Sequence, residues 1–285
     1  MTKVEKTDLI NILWERRKDS LVKIEEALKK ELIKYSNTHF YEPLLYAISN
    51  GKRLRPLILL ISAECVDKGD SKIDPLPAAV AIELLHTESL IHDDIIDREE
   101  FRRGKVAFHV KYGYEASILT ADFILAIILD IASRYNDYRI AKELSLAVLR
   151  MCEGEFNELK INLESRLNLD DYINIISQKT ASLFQTAACI GGIIGGGHEE
   201  EINALSNYGL QLGIAYQIHD DINDWSDQSK ITKVLMRNLK DPIPHLKAMV
   251  EHHVKKAKDE LKTLRETQSK NDLIQLVEFI TIKNR

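Results

Sequence analysis

The chain has 285 residues, 45% hydrophobic and 29% charged, with a formal net charge of -5 and only 12 glycines and 6 prolines. That composition excludes a disordered or collagen-like chain and suits a large core packed from long helices. The negative balance gives no long-range pull toward nucleic acid or an anionic membrane, so any anion must be captured by a local basic cluster.

From the N-terminus, charge falls in every turn of residues 1–20 and leaves no apolar run that would serve as a secretory signal. Apolar residues then recur at three- and four-residue steps through 9–32, 41–48, 54–65 and 78–96, the signature of helices with one buried stripe. The same period marks helices from 116 onward, and over 139–160, 169–189, 199–225 and 242–282. Strand signals are absent. The most apolar stretch, 116–132, is interrupted by Asp122 and Asp130, so it reads as a buried helix, and no segment is expected to span a bilayer.

Helix punctuation falls at Ser49-Asn50-Gly51, Gly69-Asp70, Asp74-Pro75, Arg103-Gly104 and Gly195-Gly196-Gly197. None of these breaks is long enough for an interdomain linker, which reads 1–285 as a single all-α domain. Three widely spaced cysteines, Cys65, Cys152 and Cys189, indicate neither a disulfide framework nor a zinc site, and a reducing cytoplasm is their simplest home.

Two acidic clusters carry the chemistry. In His92-Asp93-Asp94-Ile95-Ile96-Asp97, a helical advance of about 100° per residue puts Asp93 and Asp97 roughly 40° apart, with Asp94 about 100° round from Asp93. The second cluster, Gln217-Ile218-His219-Asp220-Asp221-Ile222-Asn223-Asp224, repeats that spacing. One such cluster alone reads as a solvated helix face. Two of them embedded in apolar sequence read as carboxylates gathered around a hard divalent cation such as magnesium, which takes oxygen ligands and leaves positions for phosphate.

Basic groups lie beside them. Gly51-Lys52-Arg53-Leu54-Arg55-Pro56 sets three cations at a helix start, where free backbone N–H groups also attract phosphate. Arg102-Arg103-Gly104 follows the first acidic cluster closely. His86, seven residues before Asp93, returns to within about 20° of the same helix face.

In order, GKRLRP (51–56), ELLHTESLIHDDIID (83–97), FRRGK (101–105) with His109 after it, CEGEFNEL (152–159), KTASLF (179–184) and YQIHDDIND (216–224) resemble the trans-isoprenyl diphosphate synthases across most of the chain. The resemblance implies a bundle of long helices around a deep central cavity, the isoprenoid synthase type I fold, usually as a homodimer. It implies three magnesium ions held by Asp93, Asp97 and Asp220, supported by Asp94, Asp221 and Asp224. By the same resemblance Lys52, Arg55, His86 and Arg103 fall at the isopentenyl diphosphate site and Arg102 and Lys179 at the allylic diphosphate, with Arg53 a further substrate-binding cation. Thr180 and Gln217, with the Lys179 carbonyl, face the carbocation.

The pattern departs from the family after Asp224, where relatives carry glycine-lysine pairs in a closing loop. Here no glycine occurs after Gly213, and Lys230 or Lys233 would have to substitute. Position 88, often part of the wall that limits product length, is Glu88, and helical arithmetic turns it about 140° from Asp93. A class I terpene cyclase, a prenyltransferase with another acceptor and a non-catalytic subunit are the alternatives. The retained isopentenyl-site cations argue against the cyclase, and the intact acidic clusters against the subunit.

Overall fold

The computed structural model describes residues 3–69, 71–161, 167–223, 230–238 and 241–280. Its helices are α1 (Lys3–Leu32), α2 (Tyr41–Ile48), α3 (Leu54–Val66), α4 (Leu76–Asp97), α5 (Phe108–Tyr112), α6 (Tyr114–Ser133), α7 (Tyr138–Lys160), α8 (Leu169–Ile176), α9 (Ser182–Ile194), α10 (Glu199–Asn223), α11 (Lys230–Asn238), α12 (Pro242–Glu260) and α13 (Gln268–Ile280). The all-α bundle expected from the periodicity is therefore present.

The core is built around α9, of which every residue except Gln185 is buried, as befits a helix apolar on all sides. It packs against α3 and α10. A Cβ at Gly191 would lie 2.3 Å from the Leu59 carbonyl oxygen, so glycine is what lets α9 approach the α3 backbone. At the periphery, Arg17 of α1 bonds Glu64 of α3 at 2.6 Å and the buried Asp272 of α13 at 2.6 Å, tying the chain's ends to the core.

Several expectations need correction. The two-residue strands β1 (Phe101–Arg102) and β2 (Lys105–Val106) form an antiparallel hairpin. Its turn, Arg103-Gly104, has φ of 53° and 73°, the doubly left-handed backbone of a type I′ turn, which period alone does not reveal. The span 169–189 is not one continuous helix of uniform pitch, because a π-helical turn at Ser177–Ala181 separates α8 from α9. The C-terminal span divides at 264–267, between α12 and α13.

Helix α6 is also long and apolar enough to cross a membrane by length and composition, with mean hydropathy 1.9 over its best window, contrary to the expectation that no segment qualifies. The window holds no more than two charged residues, so Asp122 and Asp130 do not disqualify it. It packs against α4, and its outer face leaves Ile118, Leu119 and Leu129 exposed.

Helix α12 covers α10, and at that contact the buried His253 donates from Nδ1 to Gln211 Oε1 at 2.7 Å. Burial, reinforced by His252 and Lys256, lowers the His253 pKa from 6.5 to about 4. The folded state thus favours the neutral ring, and this stability is present above pH 6.5 and lost as pH falls toward 4. The loss is on the order of 2 kcal/mol. Urea unfolding should show it as a falling midpoint between pH 6.5 and 4, and His253→Gln, which cannot titrate, should flatten that slope.

Candidate active site

A cavity of about 400 Å³ opens among α3, α4, α7, α8, α9, α10, α11 and the hairpin. From the first acidic cluster it receives Asp93 and Asp97, and from the second Asp220 and Asp221. Asp94 is buried and points elsewhere, accepting from Arg102 Nε at 2.6 Å. That split follows the helical angle, since Asp94 lies about 100° round from Asp93 and about 60° from Asp97, at the edge of the face the other two share. Asp224 lies outside the described residues.

Two of these carboxylates, Asp93 and Asp221, are held well above the ordinary carboxylate range. Burial pushes Asp93 up to about 7; Glu155 and Asp97 push it the same way, against the opposing pull of Lys179 and Arg102. Asp221 is raised to about 6 by burial, although Tyr172 donates to its Oδ2 at 2.5 Å and Gln217 Nε2 to its Oδ1 at 2.9 Å. An all-oxygen donor set short of positive charge fits a hard divalent cation better than a soft metal.

Two cationic groups share the cavity. In the first, His86 Nε2 lies 3.2 Å from Arg55 Nη1 and 3.2 Å from Arg103 Nη2. Burial, then Arg55 and Arg103, hold the His86 pKa well below 6.5, so the ring is a neutral acceptor that orients both guanidiniums. Arg55 also stacks 4.3 Å over the Phe184 ring. In the second, Arg102 enters from the hairpin while Lys179 enters from the π-helical turn, its Nζ 3.9 Å from Asp93 Oδ1. The π turn also presents Thr180, whose hydroxyl donates to Gln217 Oε1 at 2.9 Å; single π turns recur at functional sites because they re-aim side chains.

Not every predicted residue reaches this cavity. Arg53 is buried beneath it, with Nη1 2.6 Å from Glu83, Nε 2.7 Å from Glu25 and Nη2 2.6 Å from the Ile48 carbonyl. Its left-handed φ of 54° at the α3 N-cap turns it inward, so it braces the turn that presents Arg55. Lys52 is exposed and does not line the cavity. From α11 the lining residues are Ile231 and Thr232; Lys233 is exposed and outside the lining, and the Lys230 side chain lies outside the described residues.

Sequence reasoning assigned no role to Glu155, Glu158, Tyr172 or Tyr216. Glu158 and Tyr216 line the cavity, Glu158 accepts a hydrogen bond from Lys179 while Glu155 forms an ion pair with it, and Tyr172 bonds Asp221. The two glutamates stand in the quoted CEGEFNEL segment, three residues apart on one helix face. Tyr172 carried no signal.

Beside the cavity, an apolar groove of about 280 Å³ runs between α4 and α7, lined by Leu85, Val148, Phe156 and Leu159 among others. Glu88 is turned from the polar cavity, as the arithmetic said, but into this groove, where its carboxylate lies 3.3 Å from His92 Nδ1. Burial, then Asp93 and Asp122, raise it to about 7.

Fold and site together define a helical bundle whose cavity sets two pairs of carboxylates among four cationic side chains, Arg55, Arg102, Arg103 and Lys179. The polyprenyl synthetase family model matches residues 37–280. The chain is 33% identical over 277 residues to a geranylfarnesyl diphosphate synthase of Methanosarcina mazei, covering 93% of this chain and 89% of that protein. It is 37% identical over 188 residues to a geranylgeranyl diphosphate synthase of the same organism, covering 64% of this chain and 57% of that relative. Its fold matches the crystal structure of a geranylgeranyl pyrophosphate synthetase from Pyrococcus horikoshii with a TM-score of 0.84 and 28% identity, over 97% of this chain and 99% of that one. The chain belongs to the polyprenyl synthetase family of prenyltransferases.

Proposed function

We propose that this chain condenses isopentenyl diphosphate with an allylic diphosphate, giving a longer trans-prenyl diphosphate and free diphosphate, with residues 1–285 acting as one synthase domain. The observation that carries the reading is that one cavity is lined by four cations, Arg55 and Arg103 meeting across His86, and Lys179 and Arg102 both acting on Asp93. Two diphosphates need two such pairs. A cyclase, with a single diphosphate, needs one.

Asp93, Asp97, Asp220 and Asp221 would hold magnesium, three ions in the full complex, with Asp224 in support and Asp94 acting only through Arg102. Bound magnesium supplies the charge neutralisation that lets diphosphate depart. Lys179 and Arg102 place fixed positive charge where negative charge develops on the leaving oxygens. Arg55 and Arg103 hold the second diphosphate, and so bring the isopentenyl double bond to the allylic carbon. Because the Thr180 hydroxyl proton is committed to Gln217, the lone pairs of Thr180 Oγ1 remain to face positive charge on the allylic carbon. The released diphosphate takes the proton from the condensed product. Ile231 and Thr232 of α11 narrow the cavity and exclude water, which would quench the cation.

Exposed apolar side chains on α6 and α7, namely Ile118, Leu119, Leu129, Leu149, Phe156 and Leu159, support a homodimer formed through that face. Three unpaired cysteines support a cytoplasmic home. Nucleic acid is not a partner under this reading.

Purified protein, magnesium, radiolabelled isopentenyl diphosphate and allylic diphosphates of increasing length test the condensation. Elongated diphosphate products are expected. Hydrocarbon or alcohol formed without isopentenyl diphosphate would replace the reading with a cyclase, and inactivity with every primer would replace it with a subunit role.

A further inference from the structure

Lys179 stands on the partition between the polar cavity and the apolar groove, since Ser89, Asp93, Met151 and Lys179 line both. Its ammonium has a carboxylate on each side: Glu155, lining the groove, at 2.5 Å, and Glu158, lining the cavity, at 2.9 Å. All three side chains are at most 21% exposed. A lysine stem is flexible and carries high rotamer entropy, so an ammonium caught between two desolvated carboxylates is held far more narrowly than one on a free stem.

We infer that Glu155, with Glu158, is a positioning residue that fixes Lys179 at this threshold, where its ammonium meets the allylic diphosphate; the inference rests on the condensation reading. Both carboxylates come from one turn of α7, and the adjacent Gly154 brings that turn against the backbone of Gln178 and Lys179. The same contact thus sets the backbone of the lysine and the groups that aim its head. Glu155 does not touch the polar cavity. It acts through Lys179.

The sign of the charge effect separates this role from simple electrostatics. Removing a negative charge beside an anion site would by Coulomb attraction alone tighten diphosphate binding. Loss of positioning weakens it instead, because the bound ammonium must then be ordered at the cost of binding.

The experiment is calorimetric binding of a non-ionising allylic thiodiphosphate with magnesium, together with steady-state kinetics. Glu155→Gln is expected to weaken thiodiphosphate binding about tenfold, the usual scale for losing a group that orients a ligand. KM for isopentenyl diphosphate should stay within about twofold, because its cationic group is untouched. In a Lys179→Ala background, Glu155→Gln should cause no further loss, since a residue acting through another shows no effect once that other is gone. Glu158→Gln should behave in the same way. Tighter or unchanged binding, a rise in both KM values, or an undiminished loss in the Lys179→Ala background would overturn the inference. Failure of the wild-type protein to bind thiodiphosphate would overturn it together with the condensation reading. Binding without condensation would overturn the isopentenyl acceptor alone, because the coupling is read from binding.

Discussion

Asp93→Ala should lower turnover on the order of a hundred to a thousandfold while making the metal-free protein more stable, not less. The folded environment raises the Asp93 pKa from 3.8 to about 7, burial being the main cause. A carboxyl raised in this way opposes folding once it must ionise, so its penalty grows as pH rises from 4 through 7. Alanine removes that penalty. Melting curves at pH 7.5 without metal should therefore give a higher midpoint for Asp93→Ala than for wild type, and the gap should close near pH 4. Magnesium with a thiodiphosphate should raise the wild-type midpoint strongly and that of the variant little, because only a folded site binds them. Asp220→Ala should lose turnover to a similar extent. Near-normal activity in either variant, with the metal-induced shift retained, would remove these residues from the metal site.

Much of this site was legible because helical geometry converts sequence spacing into direction. Asp93 and Asp97, about 40° apart by count, reach one cavity, and His86 rejoins them after two turns. Asp94, about 100° from Asp93 and about 60° from Asp97, is turned out to Arg102. The arithmetic failed wherever the backbone leaves the α-helix. Arg53 and Arg55 read as one basic cluster, but the left-handed Arg53 sends its side chain into the core while Arg55 enters the cavity. The hairpin that carries Arg102 is only two residues per strand and rests on its turn, leaving no alternating pattern to detect. Lys179 was legible as a cation but its partners were not, because Glu155 and Glu158 meet it only through the packing of α7 on the π-helical turn. Glu88 shows the same limit. It stays out of the polar cavity, yet which surface filled the direction it takes was a tertiary fact.

That packing supplies the second large effect, expected from Gly154→Ala. A Cβ at position 154 would stand 2.4 Å from the Lys179 backbone nitrogen and 2.9 Å from Gln178 Cβ, distances that real Cβ atoms do not reach. Neither obstacle is the free end of a side chain, so α7 and the π-helical turn must separate. Overpacking of this kind costs about 1–3 kcal/mol, offset by up to about 1 kcal/mol from alanine's better helix propensity. The functional loss should exceed what this modest destabilisation suggests, because the turn that moves carries Lys179 and Thr180, and a displacement of about 1 Å at reacting groups costs on the order of a hundredfold in rate. Gly191→Ala provides the contrast: its Cβ would meet the Leu59 carbonyl at 2.3 Å, an equal insult, at the α3–α9 contact rather than at the cavity lining. Urea midpoints should fall in both variants. At a temperature where both remain folded, kcat/KM should collapse in Gly154→Ala and hold within severalfold in Gly191→Ala. Equal turnover in the two would mean that the α7 contact braces the bundle without aiming the lysine.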